Sequence, residues 1–230
     1  MQDEIQCIIS GNVTVRYGTT IQTALCYLER SKATGALDKN DKRFKREETK
    51  ALRQFVETNN LWINVDIDKY VSEGAEQKVY LKDEKTILRL NDAIYYLSWV
   101  DYFHNLLLNN HFFPNTAYKL LGFFENEKIL YAVVEQAFIK VTEKTDLENV
   151  RRFMQANGFE CIRNNDYVNY KLGIIIEDLH DENVLTNNGI LYFIDTVIYI
   201  QDYYDFLHQC RDGMSGESPF SGLVQDNADK

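Results

Sequence analysis

The sequence predicts an α+β fold with a helical N-terminal extension, and three observations support this prediction. Apolar residues recur at helical spacing within residues 1–65, between stretches of loop composition. Farther along the chain, short apolar segments flank polar turn residues, as is typical of β-hairpins. One long apolar helix stands between two of these hairpins, so residues 66–138 are expected to form an antiparallel sheet with a packed helix.

The N-terminal extension is expected to contain two helices. These are "TIQTALCYLER" and "KRFKREETKALRQFVETNNLW", joined by the loop-like "KATGALDKN". The second helix carries a basic run of Lys42, Arg43, Lys45 and Arg46. A run of like charges usually forms a solvated helix face, and a docking surface for an acidic partner protein is the alternative.

Four strands and a helix are predicted for residues 66–138. "EQKVYL" pairs with "KTILRL", and "YKLLGFF" pairs with "ILYAVVEQ". Between these hairpins, "DAIYYLSWVDYFHNLLLNN" predicts a helix over 92–110 with Asn91 as its N-cap. The sheet is therefore expected to pack against this helix.

The remainder of the chain is expected to contain two further helices and a hairpin. Thr145 and Glu148 have capping-box spacing at the start of the first helix, and Gly158 is expected to terminate it. "VLT" and "ILYFID" predict a hairpin whose turn is Asn188 and Gly189. A last helix, "YIQDYYDFLHQC", is expected to precede a disordered polar tail over 212–230.

Composition limits the classes of function. The 230-residue chain has a net charge of −10, which argues against a nucleic-acid partner because phosphate-binding surfaces need excess Lys and Arg. No apolar run approaches the roughly 18 residues of a membrane span, and the amino terminus is acidic, so a cytoplasmic protein is expected. The four cysteines follow no metal-binding spacing and are expected to be reduced and mostly buried: Cys7, Cys26, Cys161 and Cys210.

One stretch, "IIIEDLHDENVLTNNGILYFID", carries the strongest functional pattern. Asp178 and Asn183 stand five residues apart in a loop after an apolar strand, and the following hairpin returns the chain to Asp195. Carboxylate and amide oxygens with nucleotide phosphates are the ligands that Mg²⁺ uses in phosphoryl transfer. A magnesium site is therefore expected here, with ordinary turn chemistry as the structural alternative.

The loop "DLHDENVL" resembles the catalytic loop of the protein-kinase-like fold, in the "DLHPEN"-like form of small-molecule phosphotransferases and atypical kinases. Together with "EGAEQKVYL", "LLLNNHFFPNTAYKLLGFF", "VVEQAFI" and "YFID", it resembles more narrowly the kinase domain found in polyvalent proteins of mobile elements. The resemblance covers residues 55–205. It implies a compact two-lobe fold in which residues 139–211 form a reduced C-lobe.

The resemblance also assigns catalytic and metal-binding roles. Asp178 would be the catalytic base that orients an acceptor hydroxyl, and Asn183 and Asp195 would bind Mg²⁺. His180 would steady the transferring phosphate, although a structural histidine beside carboxylates explains it nearly as well. Asp181 and Glu182 are expected to be exposed loop acids.

Nucleotide-binding roles follow from the same resemblance. Gly74 and Val79 would cover ATP as a shortened glycine-rich loop and its following strand. Arg89 stands where the phosphate-binding lysine is expected, with Lys85 as the alternative cation. The backbone from Glu135 to Phe138, including Ala137, would be the hinge that bonds adenine.

Several departures from the kinase pattern keep two functions open. Ile176 and Glu177 precede Asp178, "DTV" replaces "DFG", and only 35 residues follow Asp195, which leaves no room for an activation segment. Asp101 is the only acid within "IYYLSWVDYFHNLLLNN", so no helix-C glutamate is assigned. The chain is expected to be an ATP- and Mg²⁺-dependent kinase acting on a protein or small molecule. The alternative is a pseudokinase that binds a protein partner; a metal-dependent hydrolase lacks a second histidine cluster.

Overall fold

The structure is a computed structural model that describes residues 2–32, 42–73 and 77–200. The described part contains both α-helices and antiparallel β-sheets, which confirms the predicted mixed helix-and-sheet class. Within these residues, no helix combines the length and the apolar character needed to cross a membrane.

Three helices form the N-terminal section. They are α1 (Gln2–Ile9), α2 (Gly18–Lys32) and α3 (Lys42–Thr58), of which the sequence predicted only the last two. Their buried residues, such as Ile8, Leu25 and Leu52, belong to the same apolar core as the later helix that packs on the sheet. Burial of these faces is the main stabilisation of helices this short.

A five-stranded antiparallel sheet follows. Its strands are β1 (Tyr70–Glu73), β2 (Lys78–Leu81), β3 (Thr86–Asn91), β4 (Lys119–Asn126) and β5 (Ile129–Ala137), in the spatial order β1-β2-β3-β5-β4. Both predicted hairpins are present, and β1 is an additional edge strand. A 3₁₀ turn, Ile67–Lys69, leads into β1, and a second one, Pro114–Thr116, precedes β4.

The long helix α4 (Trp99–Phe112) connects β3 with β4, and its predicted start was wrong. Ser98 is the N-cap, because its hydroxyl accepts a hydrogen bond from the amide of Asp101 at 3.1 Å. Asn91 is instead the last residue of β3 and caps only the turn that follows, where it accepts from the amide of Ala93 at 2.6 Å. The helix therefore begins eight residues beyond Asn91.

Helix α3 holds the N-terminal end of α4. Glu48 Oε2 accepts the backbone amide of Trp99 at 2.8 Å, and Thr49 Oγ1 accepts its indole N–H at 3.0 Å. Lys45 Nζ donates to the carbonyls of Ala93 and, at 3.0 Å, Tyr96. The prediction of a wholly solvated basic face was therefore wrong for Lys45, because its ammonium is partly buried against backbone carbonyls.

The second half of the described chain begins with α5 (Leu147–Ala156). Its N-cap is Asp146, which accepts the amide of Glu148 at 2.9 Å, whereas Thr145 donates its hydroxyl to the carbonyl of Val184 at 2.6 Å. The predicted cap at Thr145 was therefore wrong by one residue. The helix ends with Asn157 as C-cap, followed by Gly158 in the left-handed region at φ 79°.

Six short strands complete the described residues. They are β6 (Glu160–Arg163), β7 (Asp166–Asn169), β8 (Ile174–Glu177), β9 (Val184–Asn187), β10 (Ile190–Phe193) and β11 (Val197–Ile200). Strands β9 and β10 form the predicted hairpin, and its turn residues Asn188 and Gly189 have φ of 49° and 74°. The other four form an antiparallel sheet in the order β11-β8-β7-β6.

Two further expectations need correction. The last helix was predicted from Tyr199, but Tyr199 and Ile200 belong to β11, and the rest of that segment lies outside the described residues, as does the tail over 212–230. The cysteines were expected to be mostly buried. Cys26 and Cys161 are exposed and Cys7 is partly buried, while Cys210 lies outside the described residues.

Candidate active site

Two antiparallel pairings bring Asp178, Asn183 and Asp195 toward one another where strand β8 of the four-stranded sheet ends. Strands β8 and β11 pair Glu177 with Val197, so Asp178 leaves the sheet next to the start of β11. Strands β9 and β10 pair Val184 with Phe193, and the amide of Ile194 donates to the carbonyl of Asn183 at 2.9 Å beyond them. Asp195 lies in the connection between β10 and β11. It is therefore placed close to both Asp178, which follows β8, and Asn183, which precedes β9.

The loop between β8 and β9 is organised around the carboxylate of Asp178. Asn183 Nδ2 donates to Asp178 Oδ2 at 2.7 Å and to its carbonyl at 2.9 Å. On the other oxygen, His180 Nε2 lies 3.1 Å from Asp178 Oδ1. Both oxygens thus have a partner, yet 52% of the Asp178 side chain remains exposed, so an incoming molecule can reach it.

Asp195 is held by Arg89 of the five-stranded sheet and by Gln77, which lies directly before β2. Arg89 Nη1 lies 3.1 Å from Asp195 Oδ2, and Gln77 Nε2 donates to Asp195 Oδ1 at 2.6 Å. The Arg89 side chain is only 5% exposed, and its Nε has no hydrogen-bond partner among the described residues. A buried guanidinium with a free donor is well suited to bind further negative charge, because an unpaired buried donor is unfavourable.

The structure places Arg89, and not Lys85, beside the predicted metal ligand. Lys85 lies in the exposed turn before β3, where its carbonyl accepts the amide of Phe138 at 2.8 Å. Arg89 and Lys85, the two alternative phosphate-binding cations, thus differ in both burial and position. The Arg89 side chain is only 5% exposed, so Arg89 is not a surface residue of the sheet.

Helix α4 contacts the segment after Asp195 through two buried amides. Asn105 Oδ1 accepts the backbone amide of Ile198 at 2.8 Å, and Asn109 Oδ1 accepts the hydroxyl of Thr196 at 3.1 Å. Asp101, the acid considered from the sequence, accepts the hydroxyl of Ser98 at the start of the helix. Asn105 and Asn109 were not predicted from the sequence, although asparagines at i and i+4 within an apolar helix are a detectable pattern.

The residue before Asp195 is anchored to the first sheet. The carbonyl of Ile194 accepts Tyr118 Oη at 2.8 Å and Gln136 Nε2 at 3.0 Å. Gln136 also donates to the carbonyl of Thr116 at 2.8 Å, and its side chain is 1% exposed. Residues on both sides of Asp195 are therefore fixed by buried hydrogen bonds, which limits where its carboxylate can lie.

The remaining predicted nucleotide-binding residues lie on the same sheet, except Gly74, which is outside the described residues. Val79 on β2 is directly opposite Arg89 on β3, so the two side chains share a face. Glu135 points to the other face, where Lys82 and Lys119 pair with it, and Ala137 ends β5 opposite Thr86. A hinge role of Glu135 and Ala137 would therefore use their backbone.

A cavity of about 650 Å³ lies elsewhere, beside the β9–β10 hairpin. It is lined by aromatic residues, among them Phe113 and Phe193, whose rings stack with centroids 4.2 Å apart. None of the predicted site residues lines it. The candidate site is therefore defined by side-chain geometry and not by this cavity.

Asn183 and Asp195 are suitable ligands for magnesium. Among the described residues, no group of three or more His, Cys, Asp or Glu side chains is arranged to hold a metal ion. Mg²⁺ does not require such a cage, since it is commonly held by one or two protein oxygens together with substrate phosphates. The donor set therefore fits Mg²⁺ bound together with a nucleotide and not a protein-only metal centre.

Comparison with known proteins produced one match. A family model described as "Serine/Threonine/Tyrosine Kinase found in polyvalent proteins" matches residues 45–202. No significant match was found among curated proteins or solved structures. The resemblance predicted from the sequence over residues 55–205 is thereby confirmed.

Proposed function

The chain belongs to the serine/threonine/tyrosine kinases found in polyvalent proteins, and on that premise we propose that it is an ATP- and Mg²⁺-dependent phosphotransferase. It would transfer the terminal phosphate of ATP to a hydroxyl group of a protein or a small molecule. The proposed architecture is a compact two-lobe kinase fold, with the five-stranded sheet and α4 as one lobe and residues 139–211 as a reduced second lobe.

The observation that carries this proposal is the convergence of Asp178, Asn183 and Asp195 at the ends of β8, β9 and β10. Spacing in a sequence does not guarantee such convergence, because a hairpin of other length would place Asp195 elsewhere. Turn chemistry alone explains the Asn183 to Asp178 bond, but it gives no reason for a buried cation beside Asp195.

Asp178 is proposed to act as the base. The acceptor hydroxyl would bind at its exposed side, and its proton would pass to a carboxylate oxygen as the hydroxyl oxygen bonds to the terminal phosphorus of ATP. The bond from that phosphorus to the bridging oxygen would break in the same step, so that ADP leaves. Asn183 donates to one oxygen and His180 Nε2 lies 3.1 Å from the other, so contacts within the loop restrict rotation of the carboxylate. This fixed orientation is the main contribution of the protein to a transfer that depends on positioning.

Arg89 is proposed to bind the nucleotide phosphates. Its guanidinium is fixed on β3, and its unpartnered Nε provides a donor in addition to those used by Asp195. Asn183 and Asp195 would hold Mg²⁺, which neutralises phosphate charge when bound. Gln77 would have to release Asp195 Oδ1 if that oxygen is used for the metal.

A pseudokinase is the second candidate, and one observation favours it. In the described structure both carboxylate oxygens of Asp195 are engaged by Gln77 and Arg89. If this pairing persisted in the presence of nucleotide, the chain would retain a kinase-like shape without turnover. The two candidates therefore differ in whether ATP loses its terminal phosphate.

The test is magnesium-dependent release of phosphate from ATP, with water replacing the unknown acceptor. We expect slow release by the native chain, and at least a hundredfold loss in the Asp178→Ala variant with nucleotide binding retained. The Asp195→Ala variant should instead lose magnesium-dependent binding. Equal release by the native chain and by Asp178→Ala would contradict the proposed base, and a native chain with no release above the protein-free rate would favour the pseudokinase.

A further inference from the structure

The turn between β6 and β7 lies against the loop that carries Asp178. The two strands pair Arg163 with Asp166, so the turn consists of Asn164 and Asn165 alone. Both have positive φ, 37° and 70°, which is the left-handed backbone that asparagine adopts more readily than most residues. The turn is thus a short, defined element and not a loose connection.

Two consecutive residues of this region contact three consecutive residues of the loop. Asp166 Oδ1 accepts the backbone amide of Asp178 at 3.1 Å. The carbonyl of Asn165 accepts the amide of Leu179 at 3.3 Å, and Asn165 Nδ2 lies 3.2 Å from His180 Nδ1. No other described turn is hydrogen-bonded to Asp178, Leu179 and His180 together.

Asp166 accepts a hydrogen bond from the backbone of Asp178, which has an uncommon conformation. Asp178 has φ 67°, an uncommon conformation for a residue other than glycine, which persists where the surroundings hold it. Asp166 is only 8% exposed, and its second oxygen accepts Arg163 Nε at 3.1 Å. Its carboxylate therefore has a partner on each oxygen and is fixed beneath the loop.

The contact from Asn165 determines which nitrogen of neutral His180 carries the proton. Asn165 Nδ2 can only donate hydrogen bonds, so His180 Nδ1 is the acceptor across their 3.2 Å contact. In neutral imidazole the other nitrogen, Nε2, then carries the proton, and it lies 3.1 Å from Asp178 Oδ1. Asn165 thus favours the tautomer that donates to Asp178.

We propose that Asn165 and Asp166 are positioning residues for Asp178. Asp166 holds the backbone of Asp178 in its left-handed conformation, and Asn165 orients His180 so that its Nε2–H donates to the carboxylate. The inference rests on the proposed function for its catalytic consequence, but the tautomer of His180 and the turn contacts are properties of the chain itself.

The test uses two glycine variants of the same turn. Asn165→Gly keeps a residue suited to positive φ and removes the amide. Asn164→Gly is the matched control, because within the described residues its side chain makes no hydrogen bond to the loop. ¹⁵N NMR of imidazole, assigned with a His180→Gln sample, reports the tautomer at a pH where the ring is neutral. We expect a protonated Nε2 in the native chain and in Asn164→Gly, and a mixture in Asn165→Gly.

Phosphate release measured on the same samples separates this inference from the proposed function. We expect kcat to fall about tenfold in Asn165→Gly with the KM for ATP unchanged, as for a misplaced catalytic group. Asp166→Ala should lower kcat by at least the same factor. Asp166→Asn should retain most of the native kcat, because its side-chain oxygen still accepts the Asp178 amide.

Each outcome decides one of the two claims. A native chain without phosphate release but with the Asn165-dependent tautomer would support positioning and reject the phosphotransferase. A His180 that carries its proton on Nδ1, or a tautomer unchanged in Asn165→Gly, would overturn the inference. Equal losses in Asp166→Ala and Asp166→Asn would overturn the role of Asp166.

Discussion

Arg89 of strand β3 and Asp195 in the connection between β10 and β11 form an ion pair with a separation of 3.1 Å, although they lie 106 residues apart in the sequence. The side chain of Arg89 is 5% exposed, whereas that of Asp195 is 37% exposed. The pair thus joins a fixed, buried cation to an accessible carboxylate. Such a pair can exchange partners when a more highly charged ligand enters, which is the basis of the proposed nucleotide site.

Arg89→Met is expected to weaken binding of Mg²⁺-ATP by at least tenfold, because it removes the buried cation nearest Asp195. Arg89→Lys should weaken this binding less, because the side chain keeps a positive charge. Lys85→Met is the control, because Lys85 is exposed in the turn before β3. Calorimetric titration measures all three affinities. Weaker binding in Lys85→Met than in Arg89→Met would assign the phosphate-binding cation to Lys85.

The bond between Asn109 and Thr196 is expected to couple α4 to the segment after Asp195. Both side chains are buried, with exposures of 0% and 2%, so Thr196→Val should lower the free energy of unfolding by about 1–2 kcal/mol. Urea denaturation of Thr196→Val, Asn109→Ala and the double variant gives a coupling energy, for which about 1 kcal/mol is expected. Strictly additive losses would show that the contact contributes no stability.

Glu48 is expected to stabilise the start of α4 from outside that helix. Its carboxylate accepts the Trp99 amide at 2.8 Å, a group that would otherwise lack an intrahelical partner. Glu48→Ala should therefore cost about 1–2 kcal/mol of unfolding free energy, comparable with loss of an N-cap. Glu47→Ala is the control, with a side chain 59% exposed. Similar losses in the two variants would attribute the effect to α3 itself.

Lys45 is expected to make stability depend on alkaline pH. Burial lowers the pKa of Lys45 below its usual 10.5, with nearby acids Asp92, Glu48 and Asp101 opposing the shift. Between the lowered pKa and 10.5 the unfolded chain binds more protons than the folded chain, so unfolding free energy should rise with pH in that interval. Lys45→Met should reduce this rise.

Lys50→Met is the control for that measurement, because its side chain is 82% exposed. Chemical denaturation at several pH values below 10.5 compares the slopes of the native chain and the two variants. The same slope in Lys45→Met and in the native chain would mean that another group causes the pH dependence. A slope reduced equally in Lys50→Met would lead to the same conclusion.

The site could be predicted from sequence where local rules determine it. Asp178, Asn183 and Asp195 are separated by a loop and a hairpin whose turn, Asn188–Gly189, has an unambiguous preference for positive φ. Their convergence therefore followed from short-range pairing. The family match over residues 45–202 agrees with this local pattern.

The start of α4 could not be predicted in the same way. Ile94 and Tyr95 extend the apolar pattern toward β3, but they are 66% and 58% exposed in the turn before the helix. The periodicity of apolar residues does not show whether they are buried, so it placed the start of the helix too early. The true start is set by Ser98 together with Glu48 of a distant helix, which is a tertiary contact.

The partners of the site residues also depended on tertiary structure. Three residues distant in sequence each contact a site residue or its immediate neighbour: Gln77 before β2, Asn109 of α4 and Asp166 of β7. The last two residues of β11, Tyr199 and Ile200, were interpreted as the start of a helix, because a short apolar segment fits both periods. Pairing with β8 makes this segment a strand and not a helix, and that pairing cannot be derived from the segment alone.

The most direct measurement of the central claim is calorimetric titration of the chain with ATP, with and without Mg²⁺. The account predicts binding that strengthens when Mg²⁺ is present and loses that dependence in Asp195→Ala, because Asp195 is a proposed metal ligand. Gln77→Ala is an informative companion, since it frees Asp195 Oδ1 and should leave or improve the affinity. Absence of ATP binding under both conditions would contradict the proposed nucleotide site.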